Sequence, residues 1–145
     1  RLSLMGTKLL LETIPNIISG NINPIKQDQD EVTYAWNITR EEEKIDFNKS
    51  SREIFNQIRG LSPIPGAYTT LDSNNVKIYE SYIGSNKYDK KCGEIVKIYK
   101  DGIGVCTNDG EIVITLLQFA GKKKMKAMDY LNGIDGSKLI GKVFE

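Results

Sequence analysis

Histidine is missing altogether from the 145 residues of this chain. With it goes the one side chain that titrates near neutral pH unaided, so general acid–base chemistry has no ready agent. The usual Cys/His zinc sets go with it. The two cysteines, Cys92 and Cys106, lie outside any C-x-x-C grouping and read as small buried apolar residues rather than as a disulfide framework. No apolar run approaches the roughly 20 residues that span a bilayer. Nor does the start carry the layout of a secretory signal, so a cytoplasmic protein with no membrane partner is expected. Nucleophile triads, paired carboxylates and a Gly-rich phosphate loop with its lysine are also absent, and Gly102-Ile103-Gly104 is a hairpin feature rather than a dinucleotide fingerprint. Asp46, Asp129 and Glu145 would titrate unusually only if buried. No catalytic, cofactor-binding or metal-binding residue is assigned, and the chain by itself is expected to be inert.

Net charge is scarce too, at +1 overall, but it is unevenly placed. Residues 1–43 carry 4 basic against 7 acidic side chains, and residues 44–145 carry 16 against 12. The second part is therefore mildly basic, and global charge is a poor guide to its partners.

What is present is a change of period along the chain. Leu2, Met5, Leu9, Leu10, Ile14 and Ile17 recur at helical spacing, predicting an amphipathic helix that ends near Ser19-Gly20 and is weakened at Pro15. Leu4, Leu11 and Ile18 make it too apolar to stand alone in water. The start at Arg1, directly in this pattern, reads as the beginning of a piece of something longer. Asn21 to Arg40 is a polar linker with one apolar insertion, Val32 to Trp36, expected as a short strand. Thr39 with Glu42, and Ser50 with Glu53, are capping boxes. The run Glu41-Glu42-Glu43 suits a helix start and a solvated face. Ile54, Phe55, Ile58 and Leu61 form one face of a second helix.

Beyond Pro63 the pattern alternates. Strands are expected at Tyr68–Leu71, Val76–Tyr79, Gly93–Tyr99, Ile103–Thr107 and Ile112–Phe119, with Asp72 to Asn75, Asp101-Gly102 and Asp109-Gly110 as turns, the last two of the positive-φ kind. A helical turn at Ala127–Leu131 and a tail with a possible final strand complete the reading. The fold class is mainly β with α: a small β-barrel preceded by a helix, with an amino-terminal helical arm and linker.

Four motifs occur in order: L-L-L-E-T at Leu9, K-I-D-F at Lys44, R-G-L-S-P-I-P-G-A at Arg59 and G-K-K-K-M at Gly121. Together they resemble the carboxyl-terminal part of the methionyl-tRNA formyltransferase family over nearly the whole chain. The resemblance implies that residues 1–20 are the terminal helix of a missing amino-terminal catalytic domain, 21–43 an interdomain linker and 44–145 an OB-like tRNA-binding domain. It also implies initiator methionyl-tRNA as partner, and 10-formyltetrahydrofolate as cosubstrate of the parent enzyme only. Phe47 and Ile64 stand where the family commonly has Trp, a change expected to repack the core. Lys126 replaces a frequent capping Ser, and Trp36-Asn37 replaces a usual Lys.

The candidate tRNA-binding residues are Arg40, Lys44, Arg59, Lys122, Lys123, Lys124 and Lys126. Four of these cations fall within five residues at the end of the longest strand, a layout suited to sequence-blind phosphate contacts. Strand alternation there would put Lys122 and Lys124 on one face and Lys123 on the other. Arg40 and Lys44 either meet phosphate or pair with the neighbouring glutamates. Arg59 either meets RNA or bonds carbonyls or Asp46. The tyrosines lack a clustered stacking face and read as cross-strand or edge residues. Two other readings stay open: an accessory barrel of a related formyltransferase or formyl hydrolase that binds no RNA, and a self-association module acting through residues 2–18.

Overall fold

The computed structural model describes residues 1–145, which fall into two units, Arg1–Trp36 and Asn37–Glu145. The first holds α1 (Leu2–Ile18), with Pro15 in its last turn, and none of its residues is buried. Val32 to Trp36 forms no strand. Without a partner strand the insertion has nothing to pair with, and Tyr34 and Trp36 instead stack on each other at 5.4 Å. No helix is long and apolar enough to cross a membrane.

The second unit starts with two capped helices. At α2 (Arg40–Glu43) the Thr39 hydroxyl accepts from the Glu42 amide while Glu42 Oε2 accepts from the Thr39 amide; Ser50 and Glu53 repeat the exchange at α3 (Ser51–Leu61). The apolar face of α3 buries Ile54, Ile58 and Leu61, packing chiefly on β2. Complete burial of an isoleucine contributes about 1.5–3 kcal/mol.

Six strands follow: β1 (Ala67–Leu71), β2 (Asn74–Ile83), β3 (Ile95–Ile98), β4 (Ile103–Cys106), β5 (Glu111–Phe119) and β6 (Met125–Lys126). They pair antiparallel in the order β1-β2-β5-β4-β3, with β6 on β5. The β1–β2 hairpin closes through Asp72 and Ser73, both at positive φ, the pattern of a type I′ turn. The Asp101-Gly102 and Asp109-Gly110 turns form without positive φ; at the second, Asp109 Oδ1 accepts from Ser51 N and Ser51 Oγ, which ties the turn to the start of α3. Helix α4 (Ala127–Asn132) starts at Lys126 without a side-chain cap.

The tail does not make a regular strand. It crosses between the two edges of the sheet: Ile95 N donates to Lys142 O and Phe144 N to Gly93 O on the β3 side, while Glu145 N and Thr70 N exchange bonds with each other's carbonyls on the β1 side. The edges are thereby covered, closing an OB-like barrel around a core that includes Ile45, Phe47, Ile78, Ile112, Ile114 and Phe144. Phe47 repacks into that core as expected. Ile64 does not: on the Pro63–Pro65 bend it is 86% exposed, because the bend turns it away from α3 and the sheet. Cys106 is buried and Cys92 half-buried, both free.

Three carboxylates tie the helix starts and turns together. Backbone and side-chain hydrogen bonds from Asn48 hold Asp46 below its ordinary range, those of Ser50 do the same for Glu53, and Ser51, first through its backbone amide, for Asp109. A lowered folded-state value gives stability that is complete above the unfolded value and lost as pH falls through the folded one. The second unit is therefore expected to weaken progressively below about pH 4. Asp109→Asn, which keeps an acceptor but cannot titrate, should flatten that decline in acid denaturation followed by circular dichroism; an unchanged acid limb would show that Asp109 takes no part.

Candidate nucleic-acid interface

Directly opposed residues of an antiparallel pair share one face. Tyr68 of β1 lies opposite Lys77 of β2, and Lys77 opposite Gln118 of β5, so the three form one row across the sheet. The facing residues Ala67, Ile78 and Leu117 point into the core. The row is therefore the outer surface of the barrel. Tyr79 joins it through a bulge, since Ile78 pairs with Leu117 and Glu80 with Leu116, leaving Tyr79 as the extra residue.

Cations sit on both rings. The Arg40 guanidinium lies 3.6 Å from the Tyr68 ring centroid and the Lys124 ammonium 3.5 Å from that of Tyr79, within cation–π range. Under Lys124, the Tyr79 ring rests on Gly66, at φ +82, where an added Cβ would come within 2.8 Å of the ring. Any larger residue there would displace the ring and be strained by its backbone. Between the two stacks, Lys77 Nζ donates to the Pro65 carbonyl.

The lysine turn is held from the same row. Tyr79 OH donates to Gln118 Oε1 at 2.7 Å, and Gln118 Nε2 donates to the Lys122 carbonyl at 2.7 Å. Residues 120–124 are a turn and not an extended strand, so the alternation expected for Lys122 to Lys124 does not operate. The carbonyl bonds, and not a pleat, fix where these side chains leave the backbone.

Lys122, Lys123, Lys124 and Lys126 are exposed and form no ion pair. Arg40 pairs with Glu43 at 2.5 Å while stacked on Tyr68. Lys44 has no ion pair; it lines an open 520 Å³ pocket with Lys49 and Lys91. Arg59 lies exposed on α3 and donates to Asn56 Oδ1 at 2.9 Å, not to Asp46, which accepts from Asn48 instead. The Asn48 bonds close a local turn and leave Asp46 no need of a distant partner. Row and turn thus bring together Arg40, Lys122 and Lys124; Lys44 meets the row only through its backbone, which bridges Tyr68, and Arg59 shares none of these contacts.

Asp46, Asp129 and Glu145 are all exposed. The buried acid is Glu111, fully enclosed, which the composition gave no reason to single out. Lys77 and Gln118 were not singled out either, and Tyr79 was read with the other tyrosines as a cross-strand or edge residue. The hairpin register contained the signal for Lys77, once the two-residue turn placed it opposite Tyr68.

Residues 37–135 match the family described as "Formyl transferase, C-terminal domain". The chain belongs to that family. It is 50% identical over 134 residues to the methionyl-tRNA formyltransferase of Bacillus velezensis, covering 92% of this chain and 42% of that one. To the methionyl-tRNA formyltransferase of Staphylococcus aureus strain MW2 it is 47% identical over 143 residues, or 98% of this chain and 46% of that one. It therefore spans under half the length of these relatives. HypX from Aquifex aeolicus, solved in complex with tetrahydrofolic acid, shares the fold with a TM-score of 0.63 at 19% identity, covering 86% of this chain and 22% of HypX. The formyl transferase C-terminal domain here presents a cation row on its outer face.

Proposed function

We propose that this chain is the tRNA-holding carboxyl-terminal part of a methionyl-tRNA formyltransferase acting in translation initiation in the cytoplasm. It seats initiator methionyl-tRNA by phosphate contacts while a separate amino-terminal domain transfers the formyl group from 10-formyltetrahydrofolate. In this reading residues 1–20 end that catalytic domain, 21–43 link it and 44–145 bind the tRNA. The observation that carries it is the exposed, unpaired set Lys122, Lys123, Lys124 and Lys126 beside two ring-seated cations. Cations without carboxylate partners keep their full charge for phosphate, and each phosphate neutralised releases counterions. Lys44 and Arg59, both free of ion pairs, are proposed as outlying contacts.

The test is binding of fluorescent initiator tRNA across a salt series, comparing wild type with Lys122→Ala/Lys124→Ala. Binding that weakens steeply with salt is expected, with a slope about one to two units shallower in the double variant. An unchanged slope would remove the turn from the interface. No binding by the wild-type chain at low salt would sink the RNA reading altogether and favour self-association through α1, where Leu2, Leu4 and Leu11 are 83%, 76% and 69% exposed.

A further inference from the structure

The turn 120–124 is a poor anion site by itself, because a loop of flexible lysines must be ordered each time it binds, and each long side chain loses up to about 2 kcal/mol of rotamer entropy. Here that ordering is already built into the fold. Gln118 spans Tyr79 OH and the Lys122 carbonyl, both at 2.7 Å, and the same Tyr79 ring carries Lys124. An aromatic seat restrains an ammonium without neutralising it, whereas a carboxylate would do both. At the other end of the row Tyr68 seats Arg40, which also pairs with the Glu43 carboxylate, so a phosphate there takes over a partner already in place.

Between these ends stands Lys77. Its partners are a backbone carbonyl and two uncharged cross-strand neighbours, Tyr68 and Gln118, and no carboxylate lies within ion-pair distance of it. Adjacent strands are about 4.8 Å apart, so β1 to β5 covers roughly 10 Å, comparable to the axial rise of about three nucleotides of one strand.

We propose that Arg40, Lys77 and Lys124 form one preordered phosphate track across the outer face of β1, β2 and β5, with Tyr79 and Gln118 as positioning residues that hold its lysine end. The track rests on the RNA-binding reading above and extends it from the lysine turn onto the sheet. Its ligand is the sugar–phosphate backbone of one RNA strand, recognised without regard to sequence. Lys77 is a contact residue. Tyr79 and Gln118 touch the protein only and act by reducing what must be ordered on binding.

Contact and positioning differ in how they respond to salt. Losing a phosphate contact lowers both affinity and slope, while losing positioning lowers affinity at constant slope, because the charges remain and still displace counterions. Using the full chain and initiator tRNA, Lys77→Met is expected to weaken binding about tenfold at low salt. Its slope should become shallower by about one unit, as with Lys124→Met, and Lys77→Arg should restore it. Gln118→Ala and Tyr79→Leu should weaken binding severalfold with the wild-type slope, and Tyr79→Phe, which keeps the ring but not the hydroxyl, should fall between Tyr79→Leu and wild type. Matching circular dichroism melts separate these effects from unfolding, and the Lys77→Arg rescue stands in for Lys77→Met if that variant melts early.

If Lys77→Met retains wild-type affinity and slope while Lys124→Met does not, the contact ends at the turn and the track is wrong. If Gln118→Ala binds as wild type, the positioning role is wrong. Wild type that binds no RNA overturns the track together with the reading on which it rests.

Discussion

Glu111→Ala is expected to lower the thermal midpoint of the barrel unit by on the order of 15 °C. Glu111 is fully buried at the start of β5, and its Oε1 accepts from Asn86 N at 3.2 Å, Asn86 Nδ2 at 2.8 Å and Tyr99 OH at 2.8 Å. Truncation leaves two half-buried donors, Asn86 N and Tyr99 OH, without an acceptor, each costing about 1–3 kcal/mol, while Asn86 Nδ2 keeps the Tyr99 oxygen as its partner. The sum is about 2–6 kcal/mol, and 1 kcal/mol shifts the midpoint of a domain of this size by about 4–8 °C. Tyr99 cannot relieve the loss by ionising. Its hydroxyl is pushed well above the tyrosine range, first by burial and then by the hydrogen bond to Glu111, so it stays a donor at any ordinary pH. The socket is closed from the other side as well: a Cβ on Gly84 would lie 2.3 Å from Glu111 Cγ and Oε1. Glu111→Gln, which keeps the shape and one acceptor oxygen, should cost less than Glu111→Ala. A drop under about 4 °C for the alanine variant would mean that water or neighbouring groups satisfy these donors and that the cluster does not hold the β2–β3 connection to the sheet.

Glu111 also marks the limit of what the sequence made legible. Helices α2 and α3 were readable because their caps are local: a Ser or Thr with Glu three residues on satisfies backbone donors wherever the rest of the chain lies. The strands β1 to β5 were readable from alternation, most with ends shifted by a residue or two, although β2 runs four residues past the expected Tyr79 and the two-residue β6 was not foreseen. A buried acid is different, since its environment is assembled from Asn86 and Tyr99, 25 and 12 residues away. Nothing in Asp-Gly-Glu distinguishes a socketed glutamate from a solvated one. The same holds for the cation row. The run at Lys122 was visible as composition, but the Tyr79 bulge that seats Lys124 depends on pairing between β2 and β5, some 40 residues apart. Ile64 shows the reverse error, where an apolar residue beside a helix end looked like core and the proline bend carried it into solvent.

Tail closure yields the second large effect. Phe144 is 3% exposed and stacks on Phe47 at 6.0 Å, fixing the segment whose backbone bonds to Gly93, Ile95 and Thr70. Phe144→Ala should cost about 3–5 kcal/mol through lost burial and the cavity left beside Phe47. It should also expose the β1 edge to pairing with other chains. Urea denaturation would show a lowered midpoint, and hydrogen exchange would show the Thr70 and Phe144 amides losing protection before those of β4 and β5. If those two amides stay as protected as the inner strands, the backbone bonds hold the tail without its aromatic anchor. The consequence for binding follows from position. Strand β1 carries Tyr68, the seat of Arg40, whereas Lys124 is seated on β2 and tied to β5. Loosening the β1 edge should therefore impair the Arg40 end of the row first: Arg40→Ala should weaken RNA binding in the wild type but add little in Phe144→Ala, while Lys124→Met remains costly in both.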